Sequence, residues 1–447
     1  MIGERTRRKA RRPGAAPTRE QALIAHATAG TRQPLPGDDA GPALLAVELA
    51  LTGDGPWAAA ERAINALTED PDVSAAASLF HGAPAAALVM DAAAVDGYLD
   101  QRDAQLIREA QKSTTEPRLF RETQLDLDED LRQIVAQRLA VAKARREAHR
   151  PPTSAEFGLV EGILGLGVIL LRRAPGGALM QQVIDYVVSL TRPVLVNGLE
   201  MPGWYVPHDP APGRATPGGH VSTTMANGAA GLLAFLATCV NAGYSLNGLR
   251  RPITDLVDWF VDWQQPASAE VWPDSAWWPR WFTPDEIRAG HESVVVRAEG
   301  EALPSWSRMA GMARALQMGA LVIGDDAARG LAEKAILACL TDRQMSRLDD
   351  AGVWGGLAGL YQIGYRAASD ASGLMEISLK HRMSAAGDAL RAALAPDASA
   401  GFWTGPSGVG LAAQTMRRGI EPLGRWDALL LITGNPSPVD LRRAPWS

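Results

Sequence analysis

The feature that most constrains this fold is a short phrase that returns along the chain. A small-x-x-small core followed by an apolar run appears as FHGAPAAALVM near Gly82, VEGILGLGVILL near Gly162 and ANGAAGLLAFL near Gly228. It appears again as SRMAGMARAL near Gly311, WGGLAGLYQI near Gly356 and WTGPSGVGLAA near Gly405. Six copies of one phrase predict six copies of one structural unit, each too small to bury its apolar face alone. The copies stand far enough apart for one helix out and one back. Glycine at the start of an apolar helix removes side chains where helix ends converge, so that backbones or a ligand come close. Between the phrases lie amphipathic helices such as 251-RPITDLVDWFVDWQQ-265, where Ile253, Leu256, Val257 and Phe260 share one face. Apolar inner helices alternating with amphipathic outer ones predict an all-α toroid, an (α/α) barrel around a central cavity. Residues 21 to 447 would form it as a single domain.

Composition agrees with that class. The chain has 447 residues, 47% of them hydrophobic, enough for a large core. Runs of β-branched residues and Asn-Gly turns are few, whereas Ala, Leu and Arg recur at helical spacing. The net charge of -6 gives no reason to expect nucleic acid as the main partner. One basic patch, Arg5, Arg7, Arg8, Lys9, Arg11 and Arg12, has no apolar block behind it and is not a signal peptide. Residues 1 to 20 read as a disordered tail, or as a docking arm for an acidic partner. Cys239 and Cys339 fall inside apolar helical stretches as buried thiols, and without a cysteine framework a cytoplasmic protein is expected. Two apolar stretches, 157–171 and 225–244, are interrupted by Glu161 or by Asn227 and Asn241. They predict inner helices of a bundle, not membrane spans.

Two loop regions stand over this scaffold. Residues 197–220 are rich in Pro and Gly and contain His208 and His220. Trp263, Trp272, Trp277, Trp278 and Trp281 crowd into 19 residues, either packing the ends of outer helices or lining a binding surface.

Taken in order, PGWYVPHDP with the following GGH, NGAAGLLAFLATCVNAGYSLNGLRRPI, SWSRMAGMARALQMGALVIGD, GVWGGLAGLYQI and GFWTGPSGVGLA resemble the lanthionine synthetase C-like cyclases over residues 45 to 435. That resemblance implies an (α/α) barrel whose active members hold one zinc by two Cys and one His. The metal binds a substrate cysteine as thiolate, which attacks a dehydroalanine or dehydrobutyrine of the same peptide. A free thiol of pKa near 8.5 is only about 3% ionised at pH 7, and zinc removes that limitation.

Carried over position by position, the family's ligands are replaced. Ser307 of 305-SWS-307 stands where the first cysteine belongs, in a stretch one residue shorter than the family's. Trp354 and Gly355 stand for the Cys-His pair, and Asn227 for the catalytic histidine. Leu303 replaces an arginine, and Asn197 takes the place of an aspartate. The resemblance therefore implies no zinc and no other cofactor. Two readings follow. One is a metal-free cyclase in which proximity does much of the work, with His208, His220 and Asn227 as candidate catalytic groups. The other is a non-catalytic member that binds a precursor peptide or scaffolds a dehydratase or kinase-like partner. In both, Trp204, Asn197, Ser307, Trp354 and Gly355 line the cavity, an indole at 354 making it apolar. A glycosidase toroid would need paired carboxylates, which Glu161 alone does not supply. Neither nucleic acid binding nor membrane insertion is expected.

Overall fold

The computed structural model describes residues 40–94, 117–210, 215–273, 275–293, 295–348, 350–393 and 401–434. The basic tail expected over residues 1–20 lies outside them. Among the described residues, thirteen long helices follow in chain order: α1 Ala40–Thr52, α2 Trp57–Thr68, α3 Gly82–Ala93, α4 Pro117–Glu147, α5 Ile163–Arg173, α6 Ala178–Leu190, α7 Ala229–Asn241, α8 Leu246–Asp262, α9 Met309–Ile323, α10 Asp326–Cys339, α11 Leu357–Asp370, α12 Gly373–Ala392 and α13 Pro406–Arg418. The odd-numbered helices form the inner layer. Helix α1 packs on α3, α3 on α5, α5 on α7, α7 on α9, α9 on α11, α11 on α13, and α13 returns to α1. Each even-numbered helix lies outside, across the two inner helices that flank it in sequence. The fold is an all-α toroid.

Sequence patterning explains the two layers. Every residue of α7 from Ala229 to Ala237 is buried, because the helix is apolar on all sides. In α8, Leu249, Ile253, Leu256, Val257 and Phe260 are buried on one face, as the periodicity predicts. The six phrases start α3, α5, α7, α9, α11 and α13, but the ring contains a seventh inner helix. Helix α1, with sequence AGPALLAVELALT, lacks the repeated glycine spacing and carries a single glycine for the same purpose: a Cβ on Gly41 would lie 2.8 Å from the Phe402 amide nitrogen.

An outer helix returns the chain after each inner one, so the inner helices are parallel and their starts share one end. Hydrogen bonds between the preceding turns trace that end. Leu79 N–H donates to Val160 O, Leu159 N–H to Ala226 O, Ser307 N–H to Trp354 O, and both Val353 and Trp354 N–H to Trp403 O. Gly311 of α9 sits against Met225, before α7, and Phe80 stacks on Phe402, which closes the circle. The repeated glycine is needed because each turn folds back over its own helix. A Cβ on Gly359 would meet Val353 O at 2.0 Å, six residues earlier, and one on Gly165 would meet Leu159 O at 1.9 Å. In α9 the blocking carbonyl is that of Trp306, five residues back, which matches the shorter stretch seen in the sequence.

Short two-stranded ladders are the exception to an otherwise helical chain. Strands β1 Val194–Val196 and β2 Leu199–Met201 form a hairpin whose Asn197-Gly198 turn has φ of 50° and 79°, the geometry that favours Asn-Gly. Strand β3, Val221–Ser222, pairs with β4, Trp281–Phe282.

A ring of seven helices leaves a bore, and residues 421–434 fill it. The segment enters beside α1, where Glu48 carboxylate oxygens accept Leu423 and Gly424 N–H at 2.9 and 2.7 Å. It turns through a short 3-10 helix, Trp426–Leu430, between two residues in the left-handed region, Arg425 at φ 54° and Leu431 at φ 53°. At its deepest point Leu430 O accepts Trp306 Nε1–H at 3.0 Å, and it then runs back out to Gly434, whose carbonyl accepts Asn241 Nδ2–H. Arginines bind the filling. Arg314 of α9 is fully buried and gives Nε–H and Nη2–H to Ile432 O, with Asp370 at 2.5 Å. Arg366 of α11 gripping Asp427 makes two further bonds, of 2.6 and 3.0 Å. Burial pushes the Asp427 carboxyl up, but the Arg366 charge and its hydrogen bonds outweigh this and hold it below the ordinary value.

Cys239 and Cys339 are buried, and burial pushes both thiols up. Stretches 157–171 and 225–244 supply α5 and α7. Among the described residues no helix is long and apolar enough to cross a membrane.

Two comparisons test this architecture. Gly359→Ala forces a Cβ into a backbone carbonyl and should cost on the order of 3 kcal/mol. Gly330→Ala, in open space on α10, should gain about 0.5–1 kcal/mol. Urea midpoints would measure both, and an undisturbed Gly359→Ala would refute the close-approach account. Asp427→Ala leaves buried Arg366 with only the half-exposed Glu421 as ionic partner and should cost about 3–5 kcal/mol. Glu421→Ala removes a partner that is 50% exposed and should cost under about 1 kcal/mol.

Candidate functional site

The end where the inner helices start is built by residues at equivalent places in the repeated phrase. Two positions before Gly82, Gly162, Gly228, Arg308, Gly356 and Gly405 stand Phe80, Val160, Ala226, Trp306, Trp354 and Trp403. One position before stand His81, Glu161, Asn227, Ser307, Gly355 and Thr404. Ring closure therefore gathers the first set into a floor and the second into a rim.

Aromatic rings dominate the floor. Trp306, Trp354 and Trp403 lie with centroids 5.1 to 5.3 Å apart, and Phe80 meets Trp403 at 4.7 Å. Three are buried, while Trp354 is half-buried and offers its indole to solvent. Beneath them lies the bore filling: Trp306 bonds Leu430 O, and Phe402 meets Trp426 at 5.9 Å.

The rim is polar. Ser307 is buried, its hydroxyl 3.3 Å from that of Ser305. Gly355 is half-buried beside Asp350, whose Oδ1 accepts Gly352 N–H. Asn227 Oδ1 accepts the Thr224 hydroxyl at 3.0 Å and the Ser222 hydroxyl at 3.4 Å. That leaves Nδ2 without a partner among the described residues, on a half-exposed side chain, as an oriented donor. His81 Nε2 lies 3.0 Å from Asp72 Oδ2. Arg138, from outer helix α4, ties the rim together by donating to Glu161 O, Ala75 O at 2.8 Å and Ala77 O at 2.9 Å.

The remaining predicted residues hold loops. His208 is exposed; its Nε2 accepts Ser154 N–H at 3.2 Å, which requires the Nδ1–H tautomer facing Asp209 O. His220 is 2% exposed and donates Nδ1–H to His208 O at 2.8 Å. Burial pushes its imidazole down from 6.5 to about 4, so it is neutral at pH 7. Trp204 is buried, bonding Ser222 O and standing edge-on to Trp259. Asn197 is exposed at the β1–β2 turn. The tryptophans of 263–281 are buried and pack the loops onto the outer layer. Thus Ser307, Trp354 and Gly355 come together, Asn227 lies on the same rim, and His208, His220, Trp204 and Asn197 belong to the flanking loops. Trp306, Trp403 and His81 escaped the sequence reading, although aligning the phrases one and two residues upstream would have found them.

The donor set does not suit zinc. Ser307, Trp354 and Gly355 present a hydroxyl, an indole and a hydrogen. Among the described residues no group of three or more His, Cys, Asp or Glu side chains is placed to hold a metal. An aromatic floor inside a polar rim instead suits an apolar or aromatic group.

The state of His220 has a measurable consequence. Its folded value lies below its unfolded one, so the stability it contributes is complete above about pH 6.5 and lost as pH falls toward 4. That loss amounts to roughly 3 kcal/mol. Urea unfolding of His220→Gln should therefore be flatter between pH 7 and 4, and parallel profiles for the two proteins would refute the assignment.

No family model matches the chain, and no curated protein matches it significantly. A search of solved structures finds nisin cyclase, with a TM-score of 0.66 over 92% of this chain and 96% of that one, at 17% sequence identity. With its inner ring, outer layer and helix-start face, the chain has the fold of nisin cyclase.

Proposed function

We propose that this protein serves lanthipeptide maturation as a peptide-holding relative in fold of the cyclases, without zinc-thiolate chemistry. One observation carries the reading: the half-buried Trp354 indole, resting on Trp306 and Trp403, occupies the place where the resemblance puts metal ligands. Such a surface takes up an apolar side chain, and Ser307, Trp354 and Gly355 offer no ligand set through which a metal could ionise a thiol. The candidate histidines of the 197–220 loop support the same conclusion. One is neutral and buried, and the other is engaged with Ser154. A dehydrated precursor peptide is the proposed ligand, and a dehydratase or kinase-like enzyme the proposed partner.

A second reading keeps turnover without metal, and two rim observations favour it. Asn227 Nδ2 is held as a donor for the enolate that develops when a thiol adds to a dehydroamino acid. The His81–Asp72 pair stands on the same rim as a possible proton acceptor.

Incubating the purified protein with a dehydrated, cysteine-containing precursor, with and without chelator, separates the readings. The holding role predicts saturable binding, weakened about tenfold or more in Trp354→Ala, with ring closure no faster than in buffer. Acceleration that survives chelation and disappears in Asn227→Ala would establish the second reading. Chelator-sensitive closure would overturn both.

A further inference from the structure

A cavity opens at the same end of the toroid, apart from the aromatic floor. Outer helices run against the inner ones, so the C-terminal end of α8 returns to the helix-start face. There a cavity of about 470 Å³ lies between the end of α8 and the 291–293 loop, within the roughly 300–1,000 Å³ usual for ligand sites. Two carboxylates, Asp262 and Glu292, lie on its walls, and no Lys or Arg does. Neither carboxylate has an ion-pair or hydrogen-bond partner among the described residues.

Gln265 makes this more than a pair of surface acids. It is 1% exposed yet lines the cavity. Its Oε1 accepts Val295 N–H at 2.8 Å, and its backbone pairs with Trp277 in both directions, so the side chain is fixed. Oε1 being taken, Nε2 is the end left for the cavity, and it has no partner among the described residues. His291 stands edge-on to Trp263 at 6.2 Å and forms part of the wall. A fixed amide donor beside two unpaired carboxylates is complementary to a ligand that presents a cation next to a carbonyl. A basic residue in an extended peptide has that pattern.

We propose that the cavity walled by Asp262, Gln265, His291 and Glu292 is a second peptide subsite for an arginine or lysine side chain. The cationic head sits on the two carboxylates, and a neighbouring peptide carbonyl accepts from Gln265 Nε2. This rests on the reading that the protein holds a peptide; it adds where a basic residue of that peptide docks, beside the aromatic floor.

The test uses N-acetyl-arginine amide as probe and N-acetyl-citrulline amide as its neutral isostere, each titrated calorimetrically into the full chain. The arginine probe should bind at least tenfold more tightly than the citrulline one, and less tightly as salt is raised. Glu292→Gln and Asp262→Asn should each weaken it several-fold, and the double variant more than tenfold. Gln265→Leu tests the amide donor, and Gln265→Glu, which adds charge but loses the donor, guards against a folding defect. Equal binding of the two probes, or binding unchanged in the carboxylate variants, would overturn the subsite. A precursor peptide that binds while the arginine probe does not would remove the subsite and leave the proposed function standing. Probe binding without precursor binding would do the reverse.

Discussion

Seven parallel helices around a circle cannot all touch at the centre, and the rest of this structure follows from how that bore is filled. The chain inserts its own residues 421–434, a loop that carries backbone polar groups into an apolar interior. Each such group must find a partner or cost free energy comparable to a lost hydrogen bond. Arg314, Arg366, Glu48, Asn241 and Trp306 supply those partners from α9, α11, α1, α7 and the turn before α9. Polar residues on inner helices otherwise saturated with Ala, Leu and Gly are thereby explained. A buried Arg–Asp pair is an indifferent source of stability. Here the two arginines fix the path of the loop at Ile432 and Asp427.

The filled bore also defines the site. With Leu430 bonded to Trp306 and Trp426 packed on Phe402, the segment filling the bore backs the aromatic floor. A ligand meets indoles inside a polar rim, and whatever specificity the face has must come from side chains arranged around it. The alternation of floor and rim residues one and two positions before each phrase is a direct product of the repeat. Each of the six inner helices that carry the phrase brings one residue of each kind to that end.

Loops held by histidine hydrogen bonds complete the face. His208 and His220 each have a defined tautomer fixed by backbone partners. Their role is to shape the 197–220 loop against Ser154 and the β3–β4 ladder. Residue type alone suggested acid–base chemistry for them; in the structure His220 is buried, and both rings are held by backbone partners. The five crowded tryptophans behave likewise. They bury large areas where long loops cover the outer helices, a use of aromatic bulk as common as ligand binding.

The sequence by itself determined the alternation of inner and outer helices, the toroid class and the glycines at the helix starts. These depend on local burial and on close approach within a single repeat, both of which leave a periodic mark. The family resemblance set Ser307, Trp354 and Gly355 side by side, and Ser307 N–H does donate to Trp354 O, because equivalent places in a ring of repeats converge. The sequence left α1 unrecognised; that helix carries Gly41 but not the Gly-x-x-Gly spacing that marks α5, α7, α11 and α13. Only the tertiary structure decided that Trp306 and Trp403 lie against Trp354, that His220 is neutral and turned to His208, and that the C-terminal segment occupies the bore. Those facts turn on which distant segments meet once the ring closes, and closure is a property of all seven helices together, with no local period to record it.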